Sequence, residues 1–97
     1  MRLYKNISSA TTTTLVAKEA GFAGGSISKV TIANHDDSDS NTINLHLYDG
    51  TSTFVLVETV IPARTTLILT DNLEFNLKRF NLRITTSSTA DTTVIVY

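Results

Sequence analysis

The chain has 97 residues, a formal net charge of −1 and no cysteine. A chain of this length forms one domain. Its near-neutral charge provides no field to attract nucleic acid or an anionic membrane, so neither is an expected partner. The lack of cysteine excludes disulfides and thiolate metal sites. Residues 1–6 are not followed by an apolar run, so we expect no secretory signal and no secretion.

Apolar and polar residues alternate along most of the chain, and Ser and Thr together make up about a quarter of it. Alternation with a period of two is typical of half-buried strands, and threonine suits a pleated surface. Asp49-Gly50 is a strong hairpin signal. In chain order the pattern predicts strands at 3–7, 12–17, 26–34, 42–48, 54–61, 65–70, 80–85 and 92–97, with a short strand or bend at 73–75.

Seven or eight short strands with closely spaced turns predict an all-β protein. The expected architecture is a single antiparallel β-sandwich of jelly-roll or immunoglobulin-like type. We expect residues 1–97 to form this one domain, with residues 1–20 as an N-terminal arm or an edge strand. Small domains without disulfides often gain stability by association, so a homo-oligomer is expected.

The polar connection 35–41 contains the best candidate metal site. Asp37, Asp39 and Asn41 are spaced like the first three oxygen ligands of a calcium loop. However, Thr42 stands where that loop needs glycine, and Tyr48 stands where it needs a bidentate glutamate. We therefore interpret 35–41 as a solvated turn, because Asp, Asn and Ser favour turns. An irregular cation site in this loop is the alternative.

The sequence contains no recognisable catalytic constellation. His35 and His46 are its two imidazoles, and two histidines without a third ligand make a poor zinc site. There is no G-x-S-x-G nucleophile elbow and no close pair of carboxylates in an apolar shell. We expect a protein that is not an enzyme and that uses no cofactor and no metal.

A basic patch is formed by Lys78, Arg79 and Arg83 around Phe80. Nucleic-acid platforms combine more cations with more stacking rings, so we interpret the patch as a solvated turn. A second interpretation is that the patch meets the acidic loop 35–41 of a neighbouring subunit. Complementary charges of this kind fix the register of a contact more than they add affinity.

The segment 54–61 is apolar on both faces, whereas a half-exposed antiparallel strand is apolar on one. One interpretation is a central strand covered by the chain's own loops. The other is an interface, because extended apolar patches on small domains mark partners. The alternation places Val55, Val57 and Ile61 on one face and Phe54, Leu56 and Val60 on the other.

Ile68, Ile95 and Tyr97 are likewise out of phase with the predicted core positions of their strands. From this phase argument, the hypothetical contact residues of an interface are Phe54, Leu56, Ile68 and Tyr97.

Three segments in order carry a family resemblance: 27–34 (ISKVTIAN), 43–50 (INLHLYDG) and 60–69 (VIPARTTLIL). With 81–85 (NLRIT), they resemble small virion proteins of tailed bacteriophages, particularly marine phages. In that group a strand ending in Asn precedes a polar loop, and a short I-P-A-x-T-T-L step joins two strands. The resemblance covers most of the chain beyond Gly25 and leaves out residues 1–20. It implies no functional residue, because the group has no defined active site.

The resemblance implies a β-sandwich carried on the phage particle, commonly oligomeric. The hypothesis is a non-enzymatic virion protein, made in the host cytoplasm, that forms a homo-oligomer, expected to be a trimer. Its expected role is capsid decoration or cement, in contact with the major capsid protein or another virion protein. A neck, tail or fibre-base component is the first alternative. A carbohydrate-binding adhesion module is the second, although three tyrosines and no tryptophan equip the chain poorly for it.

Overall fold

The computed structural model describes residues 3–18, 27–70 and 79–97. The predicted strand or bend at 73–75 and Lys78 of the basic patch lie outside the described residues. Within the described ranges there is no helix long and apolar enough to cross a membrane. These ranges form eight strands: β1 (Leu3–Ile7), β2 (Thr12–Val16), β3 (Val30–Asn34), β4 (Asn41–Tyr48), β5 (Thr53–Ile61), β6 (Thr65–Leu69), β7 (Asn81–Thr86) and β8 (Thr92–Val96).

The strands form two antiparallel four-stranded sheets, which confirms the predicted β-sandwich. Sheet A has the order β1-β8-β3-β6 and sheet B the order β2-β7-β4-β5. β1 pairs with β8, β2 with β7, β3 with β6 and β4 with β5, so the chain is one long hairpin. The pairings of β3 with β8 and of β4 with β7 roll that hairpin up. This arrangement of eight strands is a jelly roll, the first of the two predicted types.

The core lies between the sheets and is built from the inward residues of the alternating strands. Each of these side chains contributes roughly 1.5–3 kcal/mol by leaving water. The most deeply buried apolar residues are Val30, Ile32, Val94 and Val96 from sheet A and Ile43, Leu45, Leu82 and Ile84 from sheet B.

Buried asparagines close the end of the sandwich where the chain crosses from β3 to β4. Nδ2 of Asn34 donates to the carbonyls of Asp39 and Ile61, both at 2.9 Å. Nδ2 of Asn41 donates to Oγ1 of Thr92 at 2.9 Å. Among the described residues, no buried side-chain nitrogen or oxygen lacks a hydrogen-bond partner.

A β-bulge corrects the predicted faces of β5. The register shifts between Leu45 and His46, so that Leu45 lies opposite Val57 while Leu47 lies opposite Phe54. Leu45 and Leu47 are both buried. Phe54 is therefore on the same face as Val57, not on the opposite face as predicted. One extra residue in a strand reverses the phase of its side chains, and this cannot be read from the alternation.

The structure excludes one of the two interpretations of 54–61. β5 is an edge strand of sheet B, so the interpretation as a central strand was wrong. β6 is the edge of sheet A on the same side, while β1 and β2 are the two edge strands on the other side. β3 begins at Val30, later than the predicted start at residue 26.

Candidate interaction surfaces

The acidic loop is organised by its own hydrogen bonds. Oδ2 of Asp36 accepts from the backbone N–H groups of Ser38 (3.3 Å) and Asp39 (3.0 Å). The bond to Asp39, followed by the bond to Ser38, lowers the pKa of Asp36. Asp37 instead faces Arg64 at 3.4 Å in an exposed ion pair, a kind that contributes little.

The three residues with calcium-like spacing do not converge. Asn41 is buried and its Oδ1 accepts from the N–H of Ser87 at 3.1 Å, whereas Asp37 and Asp39 are exposed. In the part of the chain that the structure describes, no three His, Asp or Glu residues lie close enough to hold a metal ion.

The two histidines lie in different parts of the fold. His35 is exposed after β3, with Nε2 at 3.1 Å from Oγ1 of Thr93 and 3.4 Å from Oδ1 of Asn6. His46 lies in β4 and is 3% exposed. They therefore form no common site.

The outer face of sheet B carries a chain of hydrogen-bonded and stacked side chains that we call the sheet B network: Glu58, Asn44, His46, Arg83 and Tyr48. Nδ2 of Asn44 donates to Oε2 of Glu58 at 2.9 Å. Nδ1 of His46 lies 2.9 Å from Oδ1 and 3.1 Å from the carbonyl of Asn44. Nε of Arg83 donates to Nε2 of His46 at 3.1 Å, and its guanidinium stacks 3.9 Å from the centre of the Tyr48 ring.

These contacts hold His46 as a neutral imidazole. Arginine can only donate, so Nε2 of His46 must accept and Nδ1 must carry the proton. Burial lowers the pKa of His46, and the positive charge of Arg83 lowers it further, while the hydrogen bond to Asn44 acts in the opposite sense. The network joins β5, β4 and β7 across the face. Asn44 separates Glu58 from His46, so these two do not form an acid–base pair.

The alternation of β4 indicated its polar side but not the network. Asn44, His46 and Tyr48 alternate with the core residues Ile43, Leu45 and Leu47 of β4, and this placed them on one face. Their partners Glu58 and Arg83 belong to other strands, and the register that brings them together is a property of the fold.

The basic patch is divided by the structure. Arg83 belongs to the sheet B network, whereas Arg79 lies before β7 with its guanidinium 5.3 Å from the centre of the Phe80 ring. Phe80 makes an edge-to-face contact with Phe54, with ring centres 5.8 Å apart. Within the described residues, the basic side chains serve different local structures.

Two of the four hypothetical contact residues lie on β5. Phe54 is 50% exposed and Leu56 is 38% exposed, and Val55 and Val60 beside them are more than half exposed. Glu58 is the one ionisable residue of β5. This strand thus presents an apolar surface at the edge of sheet B, which we call the β5 edge.

The outer face of sheet A presents a second apolar surface. Tyr4 lies opposite Ile95, Ile95 lies opposite Thr31, and Thr31 lies opposite Ile68. These four residues form a row across all four strands, which we call the sheet A row. Tyr4 and Ile68 at its ends are 63% and 57% exposed.

The other two hypothetical contact residues are associated with sheet A. Ile68 is an end of the sheet A row, and Tyr97 follows β8 with the Nζ of Lys29 positioned 4.1 Å from its ring centre. The four residues are therefore divided between two surfaces.

Comparison with known proteins finds similarity of fold. No protein-family model matches the chain, and no curated protein sequence matches it. A crystal structure of PirA is similar, with 13% identity and a TM-score of 0.57, over 99% of this chain and 91% of that chain. The Anabaena sensory rhodopsin transducer has 14% identity over 98% of this chain and 83% of that chain, but its TM-score of 0.37 is too low to support an argument.

A phage capsid protein is also among the structural neighbours. It is a pentameric capsid protein isolated from metagenomic phage sequences, with 14% identity and a TM-score of 0.52. The similarity covers 98% of this chain, which spans 59% of the capsid protein's length. At such identities the neighbours have the fold in common with this chain, and nothing finer follows from them alone.

Proposed function

We propose that this protein is a non-enzymatic structural component of a phage particle. The observation that carries the proposal is the similarity of nearly the whole chain to a phage capsid protein. Two points support it: viral capsid domains use the jelly roll, and three segments of the sequence resemble small phage virion proteins. A fold hosts many functions, so the surfaces must supply the rest of the support.

Within the particle, the proposed role is capsid decoration, with the protein in contact with the major capsid protein. Two exposed apolar surfaces on one small domain suit two different contacts. We assign the β5 edge, with Phe54 and Leu56, to self-association, and the sheet A face, with Ile68 and Tyr97, to the shell. Repeated contacts on a symmetric lattice add up by avidity even when each is weak. The trimer expected from the sequence is one closed form of self-association, and a two-fold dimer is another.

The test is the copy number of this chain in purified particles, measured by quantitative mass spectrometry against the major capsid protein. Hundreds of copies in a simple ratio are expected for decoration. About a dozen copies would instead favour the neck, tail or fibre-base alternative. Absence from the particle would overturn the virion proposal.

A matched pair of variants tests the surface assigned to the shell. Ile68→Asp places a charge in the exposed sheet A row and is expected to lower the occupancy on particles. Thr12→Asp places the same charge on exposed β2 of the other sheet and is expected to leave occupancy unchanged. Equal loss in both variants would contradict the assignment to sheet A.

A carbohydrate-binding module is the second candidate, because lectin domains also use the jelly roll. The stacked Arg83 and Tyr48 on the open face of sheet B are the feature that favours it. A glycan array on which the protein binds no glycan would remove this candidate.

A further inference from the structure

Within the part of the chain that the structure describes, β5 is an edge strand with little of the protection that natural edges usually have. It is nine residues long, whereas the other edge strands β1, β2 and β6 have five residues each. It contains no lysine and no proline, which are residues that commonly discourage strands from adding to an edge. One device is present, the bulge beside Leu56, and it leaves the stretch 57–61 in regular pairing with β4.

The other edge of sheet B differs. β2 has its own bulge between Thr14 and Val16, and its exposed side chains are threonines. On β5, by contrast, Val55, Leu56 and Val60 are exposed. Exposed apolar side chains and a regular stretch of edge backbone thus occur together on β5, at one edge of sheet B.

The chemistry of the β5 edge defines what can cover it. Open N–H and C=O groups of a strand are satisfied by another strand, and the largely uncharged side chains require an apolar one. β5 of a second copy meets both requirements and has the same length. Two identical strands that pair antiparallel are related by a two-fold axis, and two-fold dimers are the commonest oligomers of identical chains.

The position of the axis follows from the regular stretch. An axis at Thr59 pairs Thr59 with its counterpart and Val57 with Ile61 of the second copy. It also places Glu58 opposite Val60. In every pair, a residue that faces the core lies opposite another that faces the core, and a residue that faces outward lies opposite another that faces outward. An axis at Glu58 would set two carboxylates directly opposite each other, which is unfavourable. Axes at Val57 or Val60 would extend the pairing into the bulge or beyond Ile61 to Pro62.

We propose that a second copy of this chain extends sheet B by antiparallel pairing of β5 with β5 about a two-fold axis at Thr59. This inference rests on the self-association in the proposed function and specifies its contact. The product is a dimer with a continuous eight-stranded sheet, in place of the trimer, because a two-fold contact closes with two copies.

Cross-linking tests the axis cleanly because the chain contains no cysteine. Single substitutions Val57→Cys, Thr59→Cys and Val60→Cys are oxidised in purified protein, with Thr12→Cys on β2 as the control. Thr59→Cys is expected to give the most disulfide-linked dimer, with less on either side and none at Thr12. The proposal is overturned if the protein self-associates but the yield of disulfide-linked dimer has no maximum at Thr59. It is also overturned if the protein is monomeric at a concentration of tens of micromolar. Cross-links between mixed Thr59→Cys and Thr12→Cys chains would also overturn it. They would show that β5 of one copy contacts β2 of the next, which is a head-to-tail contact of the kind that forms rings.

Charge substitutions at Val60 test the register, because Val60 would face Glu58 of the second copy. Val60→Glu should raise the dimer dissociation constant at least about tenfold, whereas Val60→Lys should raise it much less, since opposite charges attract. Thr12→Glu is the matched control and should behave as the wild type in sedimentation velocity. Equal weakening by Glu and Lys would contradict this register. Val60 is 54% exposed and Thr12 is exposed, so all three variants are expected to fold.

These experiments use purified protein, so their failure is distinguishable from failure of the virion proposal. A dimer through β5 that is absent from particles would remove the proposed function alone. A protein abundant in particles without β5 cross-links would remove this inference alone.

Discussion

Arg83 donates its Nε–H to Nε2 of His46 at 3.1 Å, so a cation fixes the protonation of a buried imidazole. A protonated His46 would have no lone pair to accept this bond and would place a second positive charge beside the guanidinium. The native state therefore resists protonation at His46, in agreement with its lowered pKa. Stability and pH are therefore linked at His46, whose pKa is lowered chiefly by burial and further by the charge of Arg83.

The first prediction is that acidification destabilises the protein through His46. The native pKa lies below the usual 6.5, so below about pH 6.5 the unfolded chain binds a proton that the native chain does not. The free energy of unfolding should fall with pH, at most by about 1.4 kcal/mol per pH unit, until the native pKa is passed. Urea unfolding between pH 7.5 and 5.0 measures this slope.

Two variants identify the responsible group. His46→Gln should flatten the slope above pH 5, whereas His35→Gln, at the exposed histidine of sheet A, should preserve it. The same slope in wild type and His46→Gln would show that another group is responsible. The lowered pKa values of Asp36 and Asp49, held down chiefly by backbone hydrogen bonds, affect stability below about pH 5 and so outside this window.

The second prediction concerns Arg83 itself. Arg83→Met keeps an unbranched apolar stem but removes the charge and the donor, so the pKa of His46 should rise towards its usual value. Stability should fall by about 1–2 kcal/mol with the loss of the hydrogen bond and of the stacking on Tyr48. Arg83→Lys retains the charge and should raise the pKa less. An NMR titration of the His46 ring protons measures the effect, and an unchanged pKa in Arg83→Met would contradict it.

The third prediction concerns the buried amide at the end of the sandwich. Asn34→Ala leaves the carbonyl of Ile61 and the N–H of Asp36 without their side-chain partner. The cost should be about 2–3 kcal/mol, because buried polar groups lose their hydrogen bonds and gain no water. Asn6→Ala removes an exposed amide that contacts His35 and Thr93, and should cost less than about 1 kcal/mol. Chemical denaturation of the two variants compares them, and equal costs would contradict this account.

The fourth prediction concerns the two left-handed positions. Gly50 has φ +102°, and no neighbouring atom lies within 4 Å of the place that a Cβ would take, so Gly50→Ala should cost about 1 kcal/mol through backbone strain alone. Arg64, in the turn between β5 and β6, has φ 61°. Arg64→Gly should change stability by less than about 0.5 kcal/mol, because relief of strain offsets the greater entropy of the unfolded chain. Thermal unfolding of both variants measures the difference, and a larger loss in Arg64→Gly than in Gly50→Ala would contradict it.

The fifth prediction concerns Phe54. Phe54→Asp should remain folded, since the side chain is half exposed, but should lose about 1–3 kcal/mol with its contact to Phe80. It should also weaken self-association, but less than Val60→Glu, because Phe54 lies on the β5 edge beyond the paired stretch 57–61. Tyr4→Asp, at a more exposed aromatic of sheet A, should leave self-association unchanged. Circular dichroism and sedimentation velocity together give the result, and a Phe54→Asp variant that unfolds would place Phe54 in the core.

Local chemistry made much of the fold predictable. Val30 and Ile32 in β3, and Val94 and Val96 in β8, follow the period of two, and all four are buried as the pattern predicts. The Asp49-Gly50 turn was also predictable, because Asp-Gly favours the positive φ that a tight hairpin needs. Gly50 does have a positive φ. The faces of β5 could not be predicted, because a bulge adds a residue without leaving a mark in the hydrophobic pattern.

The sequence by itself determined that this protein is a β-sandwich and which residues of its regular strands face the core, because alternation records which side of a strand avoids water. The tertiary structure alone decided that β5 is an edge, that Phe54 shares a face with Val57, and that Arg83 reaches His46. The physical reason is that strand pairing joins residues far apart in the chain, such as Leu3 and Val96. Which strands pair, and in which register, depends on how the long hairpin rolls up to bury its core as a whole.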